Sequence, residues 1–307
     1  MGEVTGIQWC DHTFNIDWGC EKVSQGCKFC YAETLATRWG FDVFGPGKER
    51  RLLSDENWAK PLRWFRKAQQ AGVQRKVFCS SMTDLFLDDP QLEAARARLW
   101  PLVEQTKEHL IWQFLTKRPE NVMAMLPRTG YWRNKYGQLP DNVWVGATIE
   151  DDKTRARVVD LLRIPAQTRF ISYEPLLSSI PYPLVDCTRR LPDQEQEDLL
   201  MCKRCTAGVW ESEQYCPNCR SDYKLDWMPY EMIHMVIVGG ESGPQARLMQ
   251  EDWARQLRDY WGDMGVAYFF KQAGTKLAKA WGCSSKVGEL LDEIPEEFRR
   301  REFPLEP

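Results

Sequence analysis

Apolar residues recur along the chain in short unbroken runs, separated by longer stretches in which charged and apolar positions mix. Thr13–Trp18, Lys76–Ser80, His109–Leu115, Val143–Ala147, Arg169–Tyr173, Met235–Val238 and Val266–Phe270 are runs of four to seven residues. Runs of that length, without strict alternation, predict strands buried on both faces. Between them, Tyr31–Trp39, Gln91–Lys107, Asp151–Leu162 and Asp252–Trp261 carry helical sequence. Strands alternating with helices predict a parallel α/β architecture, either a barrel or an open doubly wound sheet.

The segment after each strand is polar: SSMTD, LTKRP, ATIED, YEPLL, GGESGP and KQAG. Parallel α/β folds bind ligands at the carboxyl ends of their strands. One rim is therefore expected to carry Ser81, Thr83 and Asp84, then Lys117 and Arg118, Thr148 and Glu150, Glu174, Glu241 and Ser242, and Lys271 and Gln272. Solvated loop polarity accounts for part of this set. It does not account for a carboxylate just after three successive strands, Glu150, Glu174 and Glu241, which are expected to converge on one cavity with the cysteine loop. Gly239 and Gly240, just before Glu241, permit close approach of the backbone to a ligand.

The chain has 307 residues, enough for a large domain with an insertion, and an ordinary globular composition with 43% hydrophobic and 28% charged residues. A net charge of −3 excludes the broad basic field of a protein that clamps duplex DNA without specificity. No apolar run approaches the roughly 18 residues of a membrane span, and the opening MGEVTGIQWCDHTF lacks the basic head and apolar core of a signal peptide. A cytoplasmic location is expected. The 11 cysteines then read as metal ligands or reactive groups, since cytosolic thiols stay reduced, and with only 3 histidines any metal chemistry must rest on sulfur.

Cys202 and Cys205 form one Cys-x2-Cys knuckle, and Cys216 and Cys219 form another. Two such knuckles bring four thiolates to a tetrahedral point, the construction of a structural zinc ribbon; a rubredoxin-like iron site uses the same ligands. Cys20, Cys27 and Cys30 lie in GCEKVSQGCKFCYAETL with no fourth cysteine close by. A structural zinc site wants four protein ligands, so the alternative of a zinc completed by His12 or Cys10 competes with a cubane iron–sulfur cluster that leaves one iron open.

Three cysteines in a loop, with aromatic Phe29 just before the last, resemble a radical S-adenosylmethionine (SAM) enzyme, although the first gap is three residues longer than the usual Cys-x3-Cys-x2-Cys. WCDHTFNIDWGCEKVSQGCKFCYAE, VGGESGP and FFKQAG resemble a phage- and mobile-element-associated radical SAM family that is distantly similar to spore photoproduct lyase. The resemblance spans nearly the whole chain except the zinc ribbon. It implies a partial (β/α)6 TIM-like barrel, a 4Fe–4S cluster on Cys20, Cys27 and Cys30, and SAM chelated to the open iron. It also implies cleavage of SAM to a 5′-deoxyadenosyl radical, and an electron donor such as flavodoxin or ferredoxin. By position, Phe29, Ser81, Thr148 and Glu150 are candidate SAM contacts, and Cys79, Lys117, Glu174 and Glu241 are candidate catalytic residues. Cys79 is either a hydrogen-atom donor or a small buried residue of the strand.

The expected organisation is a discontinuous barrel of residues 1–186 and 229–275, a ribbon at 187–228 and an extension at 276–307, with Trp281, Cys283 and FRRREFP packed on the outside. Gly40–Ser54 is an irregular loop, a lid or a bland connection, with a small basic patch at Arg50 and Arg51. Three functions compete: radical SAM chemistry on a nucleic acid or nucleotide, the same chemistry on a peptide or small metabolite, and a non-enzymatic zinc-binding adaptor. The lyase similarity and the ribbon favour the first; the acidic balance favours the second.

Overall fold

The computed structural model describes residues 5–134, 137–181, 188–190, 196–202, 208–210, 213, 215–216, 224–225 and 233–304. The chain runs through β1 (His12–Phe14), β2 (Asp17–Trp18), α1 (Tyr31–Arg38), β3 (Arg51–Leu52), α2 (Asp55–Trp58), α3 (Lys60–Ala71), β4 (Arg75–Cys79), α4 (Glu93–Gln105), β5 (Leu110–Thr116) and α5 (Val122–Met125). It continues through β6 (Val143–Thr148), α6 (Arg157–Arg163), β7 (Thr168–Tyr173), β8 (Thr188–Arg190), β9 (Gln196–Cys202), β10 (Gly208–Trp210) and β11 (Lys224–Leu225). It ends with β12 (Met235–Gly239), α7 (Glu251–Asp263), β13 (Ala267–Gln272) and α8 (Thr275–Trp281). The fold is mixed α/β, and among the described residues its main sheet has seven strands in the order β1-β4-β5-β6-β7-β12-β13. No helix among the described residues is long and apolar enough to cross a membrane.

The chain divides into two compact units, Met1–Pro127 with Asn142–Trp144, and Arg128–Asp141 with Val145–Pro307. In the first, β4 pairs in parallel with β1 and with β5, from His12↔Val77 to Phe14↔Cys79 and from Arg75↔Leu110 to Cys79↔Phe114. Val77, Cys79, Leu110, Trp112 and Phe114 are fully buried, as the unbroken apolar runs require. Phe14 meets Trp58 and Trp112 edge-on at 5.2 and 5.8 Å. The sequence reading misses α3, an amphipathic helix that buries Trp64 and Ala68 and stops at left-handed Gly72 (φ 62°).

The expected strand Thr13–Trp18 is two strands. The break falls at Asn15, whose side chain ties the chain to the turn after β4: Oδ1 accepts from Met82 N at 2.7 Å and Nδ2 donates to Ser81 Oγ at 3.0 Å. β2 then pairs antiparallel with β3, Trp18 opposite Arg51. The basic patch at Arg50 and Arg51 is also corrected. Arg50 is buried, with Nε 2.7 Å from Asp89 and Nη2 3.1 Å from Glu21, so only Arg51 of the pair keeps partial exposure.

In the second unit β12 lies between β7 and β13, parallel to both. The helix expected at Asp151–Leu162 is shorter: Asp151 caps a tight turn by accepting from Thr154 N at 3.1 Å, and α6 begins only at Arg157. α7 buries Ala254, Leu257 and Trp261, and the Trp261 indole donates to the Tyr173 hydroxyl at 3.2 Å. The tail lies along the β13 edge, Phe269 opposite Arg301, with Phe270 N donating to Arg300 O at 2.8 Å. Phe298, fully buried, stacks on Phe270 and Trp281 at 5.1 and 5.5 Å.

The insertion contains β9 paired antiparallel with β8, β10 and β11. Cys202 closes β9 opposite Lys224, and Cys216 is buried. Cys205, Cys219 and Cys187 lie outside the described residues. Glu213 forms a 2.8 Å ion pair with Arg163 of α6.

Candidate functional site

The cysteine loop leaves β2 through Gly19, whose φ of 127° suits glycine, and a Cβ there would meet the Val43 carbonyl oxygen at 2.4 Å. Cys20 follows at once; Cys27 ends a single 3-10 turn; Cys30 is the N-cap of α1. All three are free thiols and half-buried. Burial pushes the Cys20 thiol up to about 11, with Asp84 adding to the rise and Arg118 opposing it. Burial also raises Cys30, opposed in part by backbone amides of Glu33 and Ala32 and by Lys117.

Asp84 organises this end of the unit. Its carboxylate accepts from Thr116 Oγ1 at 2.6 Å, Lys117 N at 3.0 Å and Phe86 N at 3.1 Å. Arg118 then bridges Asp84 to the cysteine loop: Nη1 is 3.0 Å from Asp84 and 3.9 Å from Cys20 Sγ, and Nη2 donates to Glu21 O at 2.9 Å. Thr83 donates to Gly19 O at 2.7 Å, and Tyr31 donates to Ser81 O at 2.5 Å. Ser81, Thr83, Asp84, Lys117 and Arg118 therefore gather around the loop as strand-end position predicts. Asn15, Asp17 and Tyr31 are additions that the sequence reading misses; a capping amide, a buried acid and a helix-start phenol carry no spacing signal.

Cys79 is fully buried at the end of β4, 3.3 Å from Ser80 Oγ, and burial pushes its thiol up to about 12. His12 stacks on Trp64 at 4.4 Å, and the Cys10 thiol donates to Ile7 O at 3.6 Å. Among the described residues no group of three or more His, Cys, Asp or Glu side chains is gathered closely enough to hold a metal ion. The donor set nevertheless has the right chemistry for an iron–sulfur cluster: three soft thiols on one loop, with cationic Arg118 against Cys20 and Lys117 acting on Cys30.

The second unit carries the three rim carboxylates, each holding a cation. Glu150, fully buried, is 2.8 Å from Arg157, which also donates to Thr148 O at 2.8 Å. Glu174 is 2.5 Å from Lys271. Glu241 accepts from Arg247 N at 2.8 Å and Nε at 2.9 Å. Backbone bonds join their turns: Leu177 N to Glu150 O at 2.8 Å, and Leu176 N to Gly239 O at 3.0 Å. Gly240 is pressed against β13, where a Cβ would lie 2.1 Å from Ala273 O, and Gln272 donates to Gly240 O at 2.9 Å and Ser242 Oγ at 2.8 Å. The glycines thus serve strand packing as well as the turn. Of the three carboxylates Glu174 is the most open, its side chain 19% exposed.

No curated protein and no solved structure matches the chain. A family model matches residues 4–298, and the chain belongs to the family described as Protein of unknown function (DUF5131).

Proposed function

We propose that the protein is a radical SAM enzyme in which Cys20, Cys27 and Cys30 hold a 4Fe–4S cluster with one iron open to SAM. The observation that carries this reading is three free thiols on one short strand-end loop, with the Arg118 guanidinium 3.9 Å from Cys20 Sγ. When bound, the cluster and SAM supply one-electron cleavage to a 5′-deoxyadenosyl radical. The strand order, which rises through the chain without reversing, suits a partial barrel better than a doubly wound sheet.

The chain's own groups have definable parts. Arg118, oriented by Asp84, offsets negative charge at Cys20, and Lys117 does so at Cys30. Asn15 and Tyr31 hold the Ser81–Met82 turn, whose backbone groups, with those near Phe29, would hold SAM. Thr148 and Glu150 remain candidate SAM contacts. Glu174 is the carboxylate we assign to a polar ligand group, because it is the least buried of the three. Cys202, Cys205, Cys216 and Cys219 hold a structural zinc, and a flavodoxin or ferredoxin supplies the electron.

The test is anaerobic reconstitution with iron and sulfide. A brown protein is expected, with 5′-deoxyadenosine formed on adding SAM and dithionite. Replacing Cys20, Cys27 or Cys30 by Ala should abolish iron binding and leave zinc unchanged. A colourless protein with zinc at both cysteine groups would instead make the chain an adaptor.

A further inference from the structure

α1 ends in Arg38 and is capped by Trp39 through its backbone N–H, 3.2 Å from Leu35 O and 3.0 Å from Ala36 O. The cap needs no indole, yet Trp39 is 67% exposed, the most open large hydrophobic side chain among the described residues. Its ring meets Trp18 edge-on at 6.4 Å, and Trp18 meets Phe41 edge-on at 5.8 Å. The Arg51 guanidinium lies over both inner rings, 4.8 Å from Trp18 and 4.2 Å from Phe41. Trp18 Nε1 is buried and has no acceptor among the described residues. Cys30 and Phe41 pack on the same apolar cluster as Trp18, so this aromatic surface is continuous with the cysteine loop.

The charges of this segment are unevenly matched. Glu21, Glu33 and Asp42 are taken by Arg50, Lys22 and Lys48 at 3.1, 2.7 and 2.5 Å. Asp17 is fully buried. Arg38 and Arg51 have no carboxylate partner among the described residues, and Glu49 is the acid left over in this segment. An overall acidic chain thus carries a local cationic surplus where its aromatic rings are most open. Flat apolar faces joined by anions satisfy both features: unpaired bases stack on indole and guanidinium, and their phosphates meet the arginines. A duplex hides its base faces, and an apolar peptide leaves the arginines without counter-charge.

We propose that Trp39, Phe41 and Arg51 form a stacking platform that binds an unpaired base of a single-stranded nucleic acid beside the cysteine loop. Treating that strand as the substrate rests on the cluster reading above; its binding does not. The experiment measures fluorescence anisotropy of labelled oligo(dT), oligo(U), a duplex and an unstructured peptide, using the full chain before and after reconstitution. Both single strands should bind more tightly than the duplex or the peptide. Trp39→Ala should weaken strand binding roughly five- to hundredfold, the range for loss of one base–aromatic stack, while Trp39→Phe retains most of it. Arg51→Gln should weaken binding and flatten its salt dependence. Circular dichroism checks the fold of each variant, and iron content is read separately, so loss of the platform and failure of the cluster give different results. The proposal is overturned if the wild type binds no single strand, if Trp39→Ala and Arg51→Gln both bind strands like the wild type, or if Trp39→Ala loses only peptide binding.

Discussion

Asp17 is the most perturbed acid of the first unit. Its side chain is fully buried, and neither carboxylate oxygen has a hydrogen-bond donor among the described residues in good geometry. Thr83 lies beside it but spends its proton on Gly19 O at 2.7 Å. Burial pushes the Asp17 acid up to about 8, opposed by Thr83, Arg50 and Arg96, with Asp89 adding to the rise. The folded chain therefore keeps a proton that the unfolded chain releases near 3.8. The contribution of Asp17 to stability is therefore fully present below that lower value and is lost as pH rises, by about 1.4 kcal/mol per pH unit, until the folded acid ionises near 8. Asp17→Asn should flatten this slope, and urea unfolding between pH 5 and pH 8 measures it; a wild-type slope retained in the Asp17→Asn protein would remove Asp17 as its origin. At Gly19, by contrast, the difficulty is steric. Gly19→Ala must relieve a 2.4 Å contact with Val43 O at a left-handed φ of 127°. We expect a loss of about 1–3 kcal/mol, together with reduced iron incorporation, because Cys20 follows directly.

At the scale of elements, the unbroken apolar runs gave six of the seven main-sheet strands to within a few residues, because a largely buried strand has few polar positions to disguise it. β4, β5, β6, β7, β12 and β13 were legible for that reason. The first strand was not, since Asn15 reads as an ordinary polar position until Met82 and Ser81 are seen to use its amide. The three rim carboxylates were found by their place after strands, but their pairings were not: Lys271 is distant in sequence from Glu174, and Arg157 and Arg247, although close in sequence to Glu150 and Glu241, reach them through turns that no periodic spacing records. Glu241→Gln removes the charge that Arg247 meets and should lower stability by about 1–2 kcal/mol, read as a shift in the urea midpoint with iron content unchanged. Glu174→Gln should leave stability closer to wild type, since both partners of its pair are partly open to water. If the ligand reading is right, it should instead slow SAM cleavage or substrate turnover.

For the whole molecule, sulfur defines the metal prediction. Cys216→Ser should lose zinc, measured by elemental analysis, while the iron held through Cys20, Cys27 and Cys30 is retained; loss of both metals together would tie the two cysteine groups to one site. The sequence by itself determined the α/β class, the order of the main-sheet strands after the first, and the grouping of cysteines, because each depends on residue type and spacing along the chain. It also pointed to the strand ends as the place for chemistry, a consequence of parallel topology. Only the tertiary structure decided which charges remain available. Arg50 and Arg51 are neighbours of identical chemistry, yet one is buried between Asp89 and Glu21 and the other stacks on Trp18 and Phe41. It likewise decided that Asp17 is enclosed and Trp39 is open. Burial and pairing are set by partners distant in sequence, and no local pattern records them.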